Sequence, residues 1–110
     1  MNKVEDALKK GANVNAKGGI TGYTALIWAS EKGHTEIVAM LLEKGADVNA
    51  MGGRLDYTAL MRASLMGHKD IVEMLLKKEG IDVNAMDGIE RTALEEAIRE
   101  KEEAIDNNTK

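Results

Sequence analysis

The chain has 110 residues, 44 % of them hydrophobic but only 3 % aromatic with no Phe, so a core of Leu, Ile, Val, Met and Ala belongs to one domain or one short array. A formal net charge of −4 gives a polyanion no broad attraction, and the basic pairs Lys9-Lys10 and Lys77-Lys78 sit beside acidic residues, as solvated helix ends do. Cysteine is absent, which removes disulfides, thiolate metal sites and cysteine nucleophiles, and no apolar run approaches membrane length.

The chain opens with Met1-Asn2-Lys3-Val4-Glu5-Asp6, a charged helix pattern rather than a signal peptide, and residues 1 to 10 predict a lone helix. Thr24 then precedes Ala25-Leu26-Ile27-Trp28-Ala29-Ser30-Glu31-Lys32 as an N-cap, and Leu26, Ala29 and Ser30 form a narrow face of Leu plus small residues. Gly33 stops this helix, because glycine accepts the left-handed conformation at the end of a helix. Thr35 is expected to cap a second helix carrying the stripe Ile37, Val38, Leu41 and Leu42, with Gly45 ending it. So short a joint makes the two helices antiparallel neighbours, and Asp47 to Gly53 read as an extended turn projecting from the pair. Further along, Thr58 caps a helix through Met66, Gly67 breaks it, and residues 70 to 78 form its partner. Finally Thr92-Ala93-Leu94 opens a helix expected to run to about Ile105, with Leu94, Ala97, Ile98 and Ile105 facing inward.

These elements repeat. Tyr23-Thr24-Ala25-Leu26 returns as Tyr57-Thr58-Ala59-Leu60, and Thr58 returns as Thr92, at a spacing of 34 residues (57 − 23 and 92 − 58). Gly33-His34 returns as Gly67-His68, Ile37-Val38 as Ile71-Val72, Leu41-Leu42 as Leu75-Leu76 and Asn15 as Asn49. A fixed period of this size marks units that cannot bury an apolar face alone and must stack. The expected architecture is an all-α repeat solenoid: αα-hairpins with projecting β-hairpin-like loops, in one domain over residues 1–110. It divides into an N-terminal half-repeat (1–19), two repeats (20–53 and 54–88) and a C-terminal half-repeat with a capping helix (89–110). At the start, Lys3 and Ala7 replace Ile37 and Leu41 of the next copy. Such polar ends fit a self-capped stack, and half units also fit a fragment of a longer array.

The residues resemble the ankyrin-repeat family, whose period is about 33 residues and whose signature is T-P-L-H-x-A. Thr24 to Ala29 and Thr58 to Ala63 fit it with two substitutions each, and Gly45-Ala46-Asp47-Val48-Asn49-Ala50 and Asp82-Val83-Asn84-Ala85 resemble the rest of the unit. The likeness covers about residues 3 to 105. The family's proline is Ala25, Ala59 and Ala93, and its histidine is Ile27, Met61 and Glu95. In the family that histidine links the loops of adjacent repeats, so here the links are expected to be weaker or replaced by apolar contact. The Gly-Gly loops are one residue longer than the family's, which implies mobile hairpin tips.

No catalytic constellation stands out, and no metal or other cofactor is implied. His34 and His68 are one repeat apart, too far for direct sharing of a zinc ion, and are expected to cap their own turns. Gly18-Gly19 and Gly52-Gly53 lack the following G-K-[ST] of a phosphate loop. Function is therefore expected to lie in a surface: a non-catalytic module binding a protein partner through its concave groove and hairpin tips, with no nucleic acid and no membrane involved. The resemblance implies that partners meet the hairpin tips and the exposed face of each first helix. The candidate residues are Trp28, Arg62 and Glu96, which differ at one equivalent site, Leu65-Met66 where the first repeat has Glu31-Lys32, Tyr23 and Tyr57 immediately before the caps, and Arg54. Trp28, Leu65 and Met66 are expected to form an apolar centre, with Arg54, Arg62 and Glu96 setting orientation. The alternatives are a structural segment of a longer array, self-association through the half-repeat ends, or a consensus-like scaffold. A monomer and a cytoplasmic location are expected.

Overall fold

A computed structural model of the chain describes Gly11, residues 13–85, Thr92 and Ile98. Four helices are set out in order: α1 (Ala25–Lys32), α2 (Thr35–Glu43), α3 (Ala59–Met66) and α4 (Lys69–Leu76). Each first helix starts on a threonine in extended backbone. Thr24 Oγ1 accepts the Ile27 N–H at 3.2 Å, and Thr58 Oγ1 accepts the Met61 N–H at the same distance. Both end on a left-handed glycine, Gly33 at φ 78° and Gly67 at φ 76°, where any other residue would be strained. The second helices start differently from expectation. Thr35 and Lys69 already lie inside them, while His34 and His68 hold the cap position without a side-chain cap bond. The Thr35 N–H is bonded to the Gly33 carbonyl, as the Lys69 N–H is to that of Gly67.

The two-residue joints fold α2 against α1 and α4 against α3, and the resulting hairpins stack with α1 on α3 and α2 on α4. The first helices bury Leu26, Ile27, Ala29 and Ser30, and Ala59, Leu60, Met61 and Ala63. The second helices bury Val38 and Leu41, and Ile71 and Leu75, leaving Ile37, Leu42, Val72 and Met74 partly covered at the margin. Ala29 and Ala63 are fully buried at the close approach of α1 and α3, where a larger side chain would hold the repeats apart. Ala46 and Val48 close the core from the loop after α2. The expected helix over residues 1 to 10, and Leu94, Ala97 and Ile105, lie outside the described residues. Ile98 is helical but about half exposed, rather than turned into the stack as expected.

Loop-to-loop links between repeats are carried by asparagine. Asn15 Oδ1 accepts the Asp47 N–H at 2.6 Å, and one repeat later Asn49 Oδ1 accepts the Asp82 N–H at 2.8 Å while its amide donates to the Gly80 carbonyl. Each asparagine is held in place by a bond of its own main chain to an acceptor two residues earlier, Asn13 Oδ1 or Asp47 Oδ1, both at 2.9 Å. The expectation that the histidine's links would be weaker or replaced by apolar contact concerned other positions, Ile27 and Met61. Ile27 and Met61 are indeed buried, and Met61 in addition accepts the Thr58 N–H on its sulfur at 3.5 Å.

One buried polar atom stands out in the helical layer. Ser30 Oγ has no solvent contact and no hydrogen-bond partner among the described residues. Ser30→Ala removes that unsatisfied hydroxyl and improves helix propensity, so it is expected to raise stability by about 1 kcal/mol. Urea denaturation checks this; an unchanged or lowered midpoint would mean that the hydroxyl is satisfied.

Candidate partner-binding surface

Two short turns project beyond the N-terminal ends of α1 and α3. Gly18 pairs with Tyr23 and Gly52 with Tyr57 as isolated antiparallel bridges, each closing a four-residue tip. The equivalent tip residues Gly22 and Asp56 are both left-handed, at φ 67° and φ 53°. The second tip packs closely on the first. A Cβ on Gly52 would collide with the Gly22 carbonyl oxygen, and the Tyr23 ring lies so close over Gly53 that a Cβ there would be 2.7 Å from it. Glycine at 52 and 53 is what lets the second hairpin nest on the first.

The nested tips enclose a shallow depression of about 310 Å³ lined by Ile20, Thr21, Tyr23, Gly53, Arg54, Leu55 and Tyr57. Ile20 is fully exposed and Leu55 is 36 % exposed. Neither was expected from the sequence, although an aliphatic side chain at the tip of a glycine-rich turn was a signal that could have exposed them. Tyr23 is half-buried beside the depression. Tyr57, expected as a contact residue, is only 7 % exposed because Arg62 covers its ring, the guanidinium carbon standing 4.9 Å from the ring centre. Its part in the surface is a floor. Arg54 is exposed and makes no ion pair or hydrogen bond among the described residues.

On the outer side of the first helices, Trp28 is 39 % exposed and Met66 42 %. Trp28 leans against His34 of its own repeat, ring centres 5.0 Å apart at 46°. Leu65 is half-buried. Arg62, the residue equivalent to Trp28 one repeat on, does something else. Its Nη2 donates to Glu31 Oε1 at 2.8 Å, and the two side chains retain only 12 % and 20 % exposure. Arg62 was expected to orient a partner; stacking α1 on α3 sets Glu31 against it, and the pair clamps the repeats together. His68 adds to the clamp. A carbonyl only accepts, so its Nε2 carries a proton and donates to the Glu31 main-chain oxygen at 2.9 Å. This corrects the expectation that the histidine caps its own turn: it reaches back to the preceding repeat, its ring resting on Gly33. Glu96 lies outside the described residues.

No group of three or more His, Cys, Asp or Glu stands together among the described residues. A second depression, about 270 Å³ at the Gly-His turns, is lined by Gly33, Thr35, Gly67, His68, Lys69, Asp70 and Ile71, and its histidine is already engaged with Glu31. No helix among the described residues is long and apolar enough to cross a membrane.

The sequence matches the family described as ankyrin repeats, three copies, over residues 2–87 and again over 53–106. No curated protein matches the chain.

Proposed function

This chain belongs to the ankyrin-repeat family, and from that premise we infer that it is a non-catalytic module that holds a protein partner on its hairpin tips and the outer side of its first helices. Ankyrin repeats generally mediate protein–protein interaction and are typically non-catalytic. The observation that carries the finer reading is the set of large apolar side chains left exposed on that side: Ile20, Trp28, Leu55 and Met66. Ile20, Leu55 and Met66 are not part of the shared stacking core, since the equivalent positions Arg54, Thr21 and Lys32 hold polar residues in the other repeat. Arg62 and Glu31 stabilise the platform beneath this surface, and Arg54 remains for a partner.

Trp28 is the anchor of this reading, as the largest exposed side chain and of a type that often dominates interface energy. Trp28→Ala is expected to weaken partner binding by about 1–2 kcal/mol, roughly tenfold in Kd, without lowering the unfolding midpoint by a comparable amount. Affinity capture with wild type and with a Trp28→Ala, Leu55→Ser, Met66→Ala variant, followed by titration of the captured protein, checks this. A variant that is folded and binds the same proteins with the same affinity would sink the assignment.

A further inference from the structure

The depression at the hairpin tips has two unlike walls, and the repeat produces them. Ile20 and Arg54 occupy the same position of successive repeats, as do Thr21 and Leu55. Ile20 of one tip and Arg54 of the next therefore line the same depression, together with the Tyr23 ring and Tyr57. The volume of about 310 Å³ is at the small end for ligand sites and suits one or two side chains. Arg62 cannot serve such an occupant, because Glu31 and Tyr57 hold it. Arg54 is a cation without a partner among the described residues. The charge balance of the tips also departs from that of the chain: residues 17–23 and 51–57 carry Lys17 and Arg54 against Asp56 alone, on a chain of net charge −4.

We propose that this depression binds a peptide segment of the partner in which an aliphatic side chain stands next to a carboxylate. The aliphatic group packs between Ile20, Leu55 and the Tyr23 ring, and the carboxylate pairs with the Arg54 guanidinium, whose planar fork matches it in two parallel hydrogen bonds. The proposal rests on the protein-binding reading above and adds to it the chemistry of the recognised segment.

A random-peptide library displayed on phage, panned in parallel on the full chain and on its Arg54→Glu and Ile20→Ser variants, tests it. Both residues are exposed, and circular dichroism confirms that the variants fold. The full chain is expected to enrich peptides with Asp or Glu beside Leu, Ile or Val. The best of these, synthesised, is expected to shift amide resonances of residues 18–23 and 52–57 and to lose about tenfold in affinity to each variant. Arg54→Glu is expected to select Lys or Arg in place of the acid. Enriched peptides that lack an acid, or that bind Arg54→Glu equally well, would overturn the proposal. Peptides that shift Trp28 and Met66 but not the tips would overturn it while leaving the protein-binding reading intact. A library yielding no binder would count against both.

Discussion

Gly52→Ala is expected to destabilise the protein by about 2 kcal/mol, which for a chain of this size lowers Tm by roughly 8–16 °C. The added Cβ meets the Gly22 carbonyl oxygen, a main-chain atom that no rotamer change can move aside. Relief requires the second hairpin to lift off the first, which also withdraws Gly53 from beneath the Tyr23 ring and opens the tip depression. The chain contains its own control. Gly18 holds the same repeat position in the first hairpin, makes the same kind of bridge, and a Cβ added to it would meet nothing within 4 Å. Gly18→Ala is therefore expected to change stability by no more than about 0.5 kcal/mol. Thermal denaturation of the two variants decides it: equal losses would mean that hairpin nesting contributes nothing and that both glycines serve only their own turns.

Arg62→Ala is expected to cost about 2–3 kcal/mol. Removing one partner of a buried ion pair leaves the other charge uncompensated, which costs about 3–5 kcal/mol when the site is fully enclosed. Here the side chains keep 12 % and 20 % of their exposure, so water recovers part of that. The cation over the Tyr57 ring is lost as well. The double-mutant cycle with Glu31→Ala isolates the pair. If the clamp is as described, the double variant should lose about 1–2 kcal/mol less than the sum of the single ones. Additive losses, together with weaker partner binding by Arg62→Ala, would return Arg62 to the role of orienting a partner. The same cycle therefore separates platform from recognition surface.

Much of the fold was legible in the sequence because its signals are local and recur. Thr24 and Thr58 as caps, Gly33 and Gly67 as stops, and the buried Leu26, Ala29 and Ser30 follow from residues a few positions apart. The second helix starts were misjudged by one residue, because His34 and His68 hold the cap position without the side-chain bond by which a cap is read from the sequence. The candidate surface was legible in part. Comparing repeats singled out Trp28 and Met66, which are exposed, and Arg54, which is free among the described residues. The comparison also selected Arg62, because a residue that differs between repeats looks the same in the sequence whether its partner is another protein or the neighbouring repeat. Ile20 and Leu55 were passed over because their loops read as turns, and turn residues are chosen for backbone conformation before side chain.

The sequence by itself determined the period, the two helices of each repeat and the apolar stripes that make them stack, since each is set by spacing along the chain. Only the tertiary structure decided which side chains join one repeat to the next: Arg62 with Glu31, His68 with the Glu31 carbonyl, Asn49 with Gly80 and Asp82, Gly52 against Gly22. Those pairs lie about one period apart in the chain, and they meet because burying the apolar stripes brings successive hairpins into contact. The same stacking sets Ile20 beside Arg54, and with it the character of the surface offered to a partner.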